Sequence, residues 1–148
     1  MNYKEKDNLF YVCSLIEFIG RKTKNRRSTI VDILGKKELS RQLEIADINH
    51  CLSFEQVSDE IIAYFNIPEG DFDSVGSCKY NVPSFLAIGK QYQRLILNVM
   101  SEEDDITNVL YDVFKSFISD EISDFNSSVY YSNPDYLKHS YLEGYLLP

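Results

Sequence analysis

The chain has 148 residues, 44% of them hydrophobic, with an aromatic share of 14% that includes eleven Tyr and no Trp. This length and composition suit a single compact domain over residues 1–148 that buries a core without metal or disulfide staples. No apolar run nears the roughly 20 residues that span a bilayer, and three widely spaced cysteines (Cys13, Cys51 and Cys78) argue against a disulfide scaffold.

Met1–Asp7 carries both signs of charge ahead of an amphipathic stretch, the wrong pattern for a secretory signal, so the cytoplasm is the expected compartment. That stretch runs from about Leu9 to Lys22, with apolar residues at 9, 12, 13, 16 and 19 in helical spacing. Asp7 or Asn8 is placed to cap it, and Gly20 with the basic residues beyond suits its end. A turn at Thr23–Arg27 precedes a short helix over Thr29–Leu34, which Gly35 can end in a left-handed conformation. A further helix, Lys37–Ile48, sets Leu39, Leu43 and Ala46 on one face.

Ser53 and Gln56 form a capping-box pattern that opens a helix to Phe65. Asn66–Val82 is the longest irregular stretch, and loops of this length are uncommon unless functional or locally folded. Pro83 suits the first position of a helix reaching Met100. Ser101 is placed to cap the next one, with Glu102–Asp105 complementing its N-terminal dipole, and the apolar pattern continues to Phe125. Ser128–Tyr131 is the one candidate strand. Asn133-Pro134 starts a last short helix that Gly144 stops. The expected fold is all-α: a single-domain bundle of six to seven helices with one long irregular loop at 66–82, divisible into sub-bundles 8–65 and 83–148.

The catalytic and metal motifs fail on inspection. As a phosphate loop, Glu69–Lys79 lacks Gly before Lys79 and Ser or Thr after it. As a calcium loop, it offers Asp71, Asp73 and Gly76 but has Val75 and Val82 where oxygen ligands are needed. His50 and Cys51 are adjacent and so do not share a helix face, and neither has a partner at zinc spacing. The acidic pairs Asp59-Glu60, Asp104-Asp105 and Asp120-Glu121 fall on helix exteriors or first turns, and no acid is expected on an apolar face. No catalytic, cofactor-binding or metal-binding residue is assigned.

Two features point to recognition. The net charge of −8 is unevenly spread: residues 1–41 hold ten Lys/Arg against five Asp/Glu, and residues 42–148 hold five against eighteen. Arg21, Lys22, Lys24, Arg26 and Arg27 crowd into seven residues, with Lys36 and Lys37 beyond. This basic segment reads as a solvated turn, as a patch that docks an acidic protein surface, or, as a further alternative, as a nucleic-acid contact, since 21–43 resembles a loose helix-turn-helix. The acidic remainder disfavours a phosphate backbone. The second feature is the cluster Tyr130, Tyr131, Tyr136, Tyr141 and Tyr145; tyrosine is enriched at interfaces. These rings either engage a partner or close the bundle, and the apolar terminal stretch to Pro148 is expected to dock on its own core or on a second copy.

The segments Asn8–Glu17 and Leu52–Ile62 resemble a group of short, functionally uncharacterised bacterial helical proteins encoded near ADP-ribosyltransferase-like toxins. The resemblance covers residues 8–65, implies an antitoxin or accessory role, and assigns no functional residue. The expected function is a non-enzymatic protein-interaction module of antitoxin or immunity type. The alternatives are a DNA-binding regulator using 21–43, or an enzyme with a site near the 66–82 loop around Cys78, Lys79 and Tyr80.

Overall fold

The computed structural model describes residues 1–148 and is all-helical, with seven α-helices, one 3-10 turn and no strand. The first helix, α1 (Tyr3–Thr23), begins well before its apolar stripe. Asn2 caps it, accepting from the Glu5 amide at 2.8 Å while the Glu5 side chain reaches back to Asn2. The opening turn is exposed and polar, so it leaves no hydrophobic period to detect. Gly20 does not end the helix. The chain turns at Lys24, in a left-handed conformation with φ 57°.

Helix α2 (Arg27–Asn49) is broken at Gly35, whose φ of 76° and ψ of 164° lie in a region that only glycine occupies without strain. The two helical segments expected on either side of this residue are both present. Helix α3 (Phe54–Phe65) is capped by Ser53, which accepts from the Gln56 amide at 3.0 Å. Helix α4 (Phe85–Val99) starts two residues after Pro83, because Ser84 caps it by accepting from the Ala87 amide.

Ser101 likewise does not cap the next helix. It closes a separate turn with Asp104, and Asp105 caps α5 (Ile106–Lys115) through the Thr107 amide. Ser116 then splits the expected long helix. Its amide bonds back to Asp112 and Val113 carbonyls while its hydroxyl accepts from Ile118, opening α6 (Phe117–Ser123). The candidate strand is a 3-10 turn, Val129–Tyr131. Helix α7 (Pro134–Glu143) has Asn133 as cap, Pro134 in its first turn and left-handed Gly144 at its end, as its sequence signals imply.

Helices from the two halves of the chain interleave. α1 packs chiefly on α4 and α2, α5 lies on α2, and α7 lies on α4, so one continuous core runs from Leu9 to Leu137. α1 and α4 touch closely at Gly89, where a Cβ would come within 2.9 Å of the Ser14 Cα atom. Tyr11, Phe18, Phe54 and Phe85 form a ring cluster that pins α3 and the start of α4 onto α1. No helix is long and apolar enough to cross a membrane.

Candidate functional site

The basic segment and the 66–82 loop, separate features in the sequence, meet in one place. Arg27 is 0% exposed and so is Glu17. The Arg27 guanidinium forks onto Glu17, Nε donating to Oε1 and Nη2 to Oε2, each at 2.8 Å. Its remaining donors go to the Asn25 carbonyl at 2.9 Å and the Ser74 hydroxyl at 2.8 Å. Arg21 adds a third interaction, donating from Nε to Glu17 at 2.7 Å while its guanidinium lies over the Phe125 ring. Burial alone works against the Arg27 charge, but the Glu17 carboxylate outweighs it and the guanidinium is held above its ordinary range.

The other cations of the segment are engaged as well. Lys22 bridges Glu55 and Asp59 from α1 to α3, and its hydrogen bonds to Asp59 and Glu55 raise its pKa. Arg26 pairs with Asp120 and lies over the Phe72 ring, while Lys24 reaches Glu69 at 3.8 Å. Backbone bonds complete the join: Gly70 donates to the Thr23 carbonyl at 2.8 Å and Phe72 to that of Lys24 at 2.9 Å. The Asn25 amide donates to the Pro68 carbonyl. The basic segment is therefore charge-paired rather than free: Lys22 and Arg26 stay exposed but each is held by an acid, and Arg27 is buried. Lys24, Arg26 and Arg27 brace the loop against α1 through Glu69, Phe72 and Ser74, while Arg21 turns inward to Glu17 and Lys22 ties α1 to α3.

Glu17 is also the acid on an apolar face that the sequence reading did not anticipate. It sits four residues after Cys13 and three before Gly20, on the buried stripe of α1, and that spacing was its only signal. Lys36 lies over the Tyr111 ring at 5.2 Å, and Lys37 rims a shallow groove between α2 and α3 that also holds Glu38 and Glu60. Neither approaches the 21–27 segment's network.

Residues around the remaining catalytic candidates have structural partners. Asp73 accepts from the Gly76 amide at 2.7 Å and so folds its own turn. The Cys78 thiol faces the Tyr80 and Phe125 carbonyls, and the Lys79 amide donates to Asn126. His50 and Cys51 are exposed at the end of α2.

The tyrosine cluster divides. Tyr130, Tyr136 and Tyr141 are half-buried and packed against the core, and the Tyr136 hydroxyl donates to the Leu147 carbonyl at 2.8 Å. The terminal stretch thus folds back on α7, with the Leu147 amide donating to Ser140. Tyr131 and Tyr145 are exposed, at 66% and 57%. Tyr130 and Tyr131 form one wall of a cleft of about 450 Å³, and α4 forms the other. Gln91 ties the walls together, its amide donating to the Tyr130 carbonyl at 2.6 Å and that of Ser132 at 3.3 Å. Lys90 and Arg94 sit on the α4 side, both exposed. Sequence reasoning missed these two cations because an i, i+4 basic pair on a polar helix face resembles ordinary solvated surface.

No protein family, curated protein or solved structure matches the chain.

The burial of neutral acids in this core sets its response to alkali. Burial raises Tyr92 well above its ordinary value, with the Glu17 charge adding to it, and burial likewise raises Tyr11 and the Cys13 thiol. Each group holds its proton more tightly folded than unfolded. The resulting stability is complete below the unfolded values, about 8.5 for Cys and about 10 for Tyr, and is lost as pH rises past them. The urea midpoint should stay level up to about pH 8 and fall steeply by about pH 11. An unchanged midpoint across that interval, with tyrosinate absorbance already developed, would contradict the buried placement of these groups.

Proposed function

We propose that this chain is a non-enzymatic, cytoplasmic protein-recognition module of the antitoxin or immunity type, acting on the product of a neighbouring bacterial gene. The observation that carries the reading is the tyrosine-walled cleft between α4 and residues 130–134. It sets an exposed Tyr131 ring beside two cations that no acid of the fold neutralises. Tyrosine supplies large contact area at low rotamer cost, and Arg with Tyr is the composition of interface anchors. The resemblance of residues 8–65 to toxin-associated helical proteins agrees with this class of partner. The nucleic-acid alternative requires free cations along 21–43, and most of those are held by Glu17, Glu38, Glu55, Asp59, Glu69 and Asp120.

Co-expression tests the reading. The chain and its genetic neighbour should elute together in gel filtration, and the chain should relieve any growth defect the neighbour causes. A chain that elutes alone and leaves that defect untouched would overturn it.

A further inference from the structure

The walls of this cleft specify the chemistry of what fills it. Ala87, Lys90, Gln91 and Arg94 recur at helical spacing, so they form a single stripe along the exposed flank of α4. Ala87 and Arg94 are separated along the axis by about 10 Å. Pro83 and Ala87 make the beginning of the trough apolar, and Lys90 and Arg94 make its end cationic. Tyr130 and Tyr131 run alongside as the facing wall.

The charge of this trough is reversed relative to the rest of the molecule. The chain carries 23 acids against 15 Lys and Arg, yet no Asp or Glu lines the cleft. Three other clefts of comparable volume all contain acids: Glu38 and Glu60 in one, Asp7 and Asp47 in the next, and Glu5, Glu44 and Asp105 in the third. Neither Lys90 nor Arg94 joins any ion pair of the fold. Lys90 is steadied instead by the Phe10 ring, 5.6 Å from its ammonium. A cation left unpaired on so acidic a surface is available to an anion from outside.

We propose that the cleft between α4 and residues 130–134 binds an extended, acidic segment of a partner protein, with carboxylates on Lys90 and Arg94 and an apolar side chain over Pro83 and Ala87. The spacing of apolar and cationic residues along α4, with no acid between them, decides between occupants. An extended chain of polyproline-II type rises about 3.1 Å per residue with three residues per turn, so an apolar side chain and a carboxylate three residues apart share a face and lie about 9 Å apart, close to the separation of the two ends. The Tyr131 ring covers the segment between them, and the Arg94 fork suits a carboxylate bidentately. This deepens the interaction-module reading and rests on it for the identity of the partner.

The probe is a fluorescein-labelled synthetic peptide of about seven residues, with one leucine followed three and four positions on by glutamates, in a glycine–serine background. Its anisotropy should rise on titration with the protein and fall back with added salt. The glutamine counterpart should bind at least about tenfold more weakly, and so should the Lys90→Glu, Arg94→Glu double variant with the acidic peptide. That variant should stay folded with a thermal midpoint near wild type, since both side chains are exposed, neither joins an ion pair, and the one contact removed is that of Lys90 with the Phe10 ring. Equal binding of the glutamine peptide, unchanged binding by the double variant, or no binding of the acidic peptide would overturn the proposal. Displacement by inorganic phosphate, where chloride of equal ionic strength fails, would identify a small-anion site and also overturn it. The two readings fail separately. If the neighbour's product binds wild type and double variant alike, the cleft assignment is wrong and the module reading stands. If the peptide behaves as expected but no neighbour complex forms, the reverse holds.

Discussion

Replacing Glu17 with Met should destabilise the fold by about 3–5 kcal/mol, the range for removing one partner of a buried ion pair. The side chain keeps its length, but the fully buried Arg27 guanidinium loses both charged acceptors and retains only the Asn25 carbonyl and the Ser74 hydroxyl. Arg21 loses its 2.7 Å partner in the same step. With total stabilities of about 5–15 kcal/mol for domains of this kind, the urea midpoint should drop by roughly 2 M. The pair Glu17→Met with Arg27→Met should recover more than half of the loss, because no uncompensated charge remains in that pocket. Arg27→Met alone should cost less than Glu17→Met, since Arg21 still faces the carboxylate. It should nevertheless release the 66–82 loop, read as faster hydrogen exchange at the Gly70 and Phe72 amides. A Glu17→Met protein within about 1 kcal/mol of wild type would show that this network does not hold the loop.

The second large effect is expected at Phe114, which is 0% exposed and stacks on Tyr92 with ring centroids 4.1 Å apart. This stack joins α5 to α4, and α5 at 10 residues has no stability of its own. Phe114→Ala should cost about 3–5 kcal/mol, the transfer loss plus the cavity left against the tyrosine. Tyr92→Phe should cost only about 1 kcal/mol, because the hydroxyl's bond to the Ser119 carbonyl is long at 3.4 Å. Paired denaturation curves measure both. Equal midpoint shifts in the two variants would mean that the hydroxyl, rather than the ring stack, secures α5.

Helices whose ends carry their own signals were legible. Ser53 before α3, Gly35 within α2, and Asn133, Pro134 and Gly144 around α7 each act through local backbone chemistry that a few residues specify. Boundaries set by competing caps were not. Ser84 displaced Pro83, Asp105 displaced Ser101, and Ser116 interrupted a continuous apolar pattern by bonding in both directions. Charge was least legible of all. The cluster at 21–27 reads as a surface feature because its acids lie 33 to 94 positions further along, in α3, the 66–82 loop and α6, and because the spacing of Glu17 on the apolar stripe of α1 is the one local sign of its burial. The unpaired cations were hidden for the opposite reason. Lys90 and Arg94 stand out only once the fold shows that no acid shares their cleft, whereas acids line three others of comparable volume.

Arginine modification by phenylglyoxal, mapped by mass spectrometry on the native protein, tests most directly which charges the fold consumes and which it leaves for a partner. Arg94, exposed and unpaired, should react at once, while Arg27 should stay unmodified until denaturant is added. Reaction of Arg27 as fast as that of Arg94 in the native state would contradict the burial of Arg27 against Glu17 and the division between charges the fold consumes and charges it leaves free.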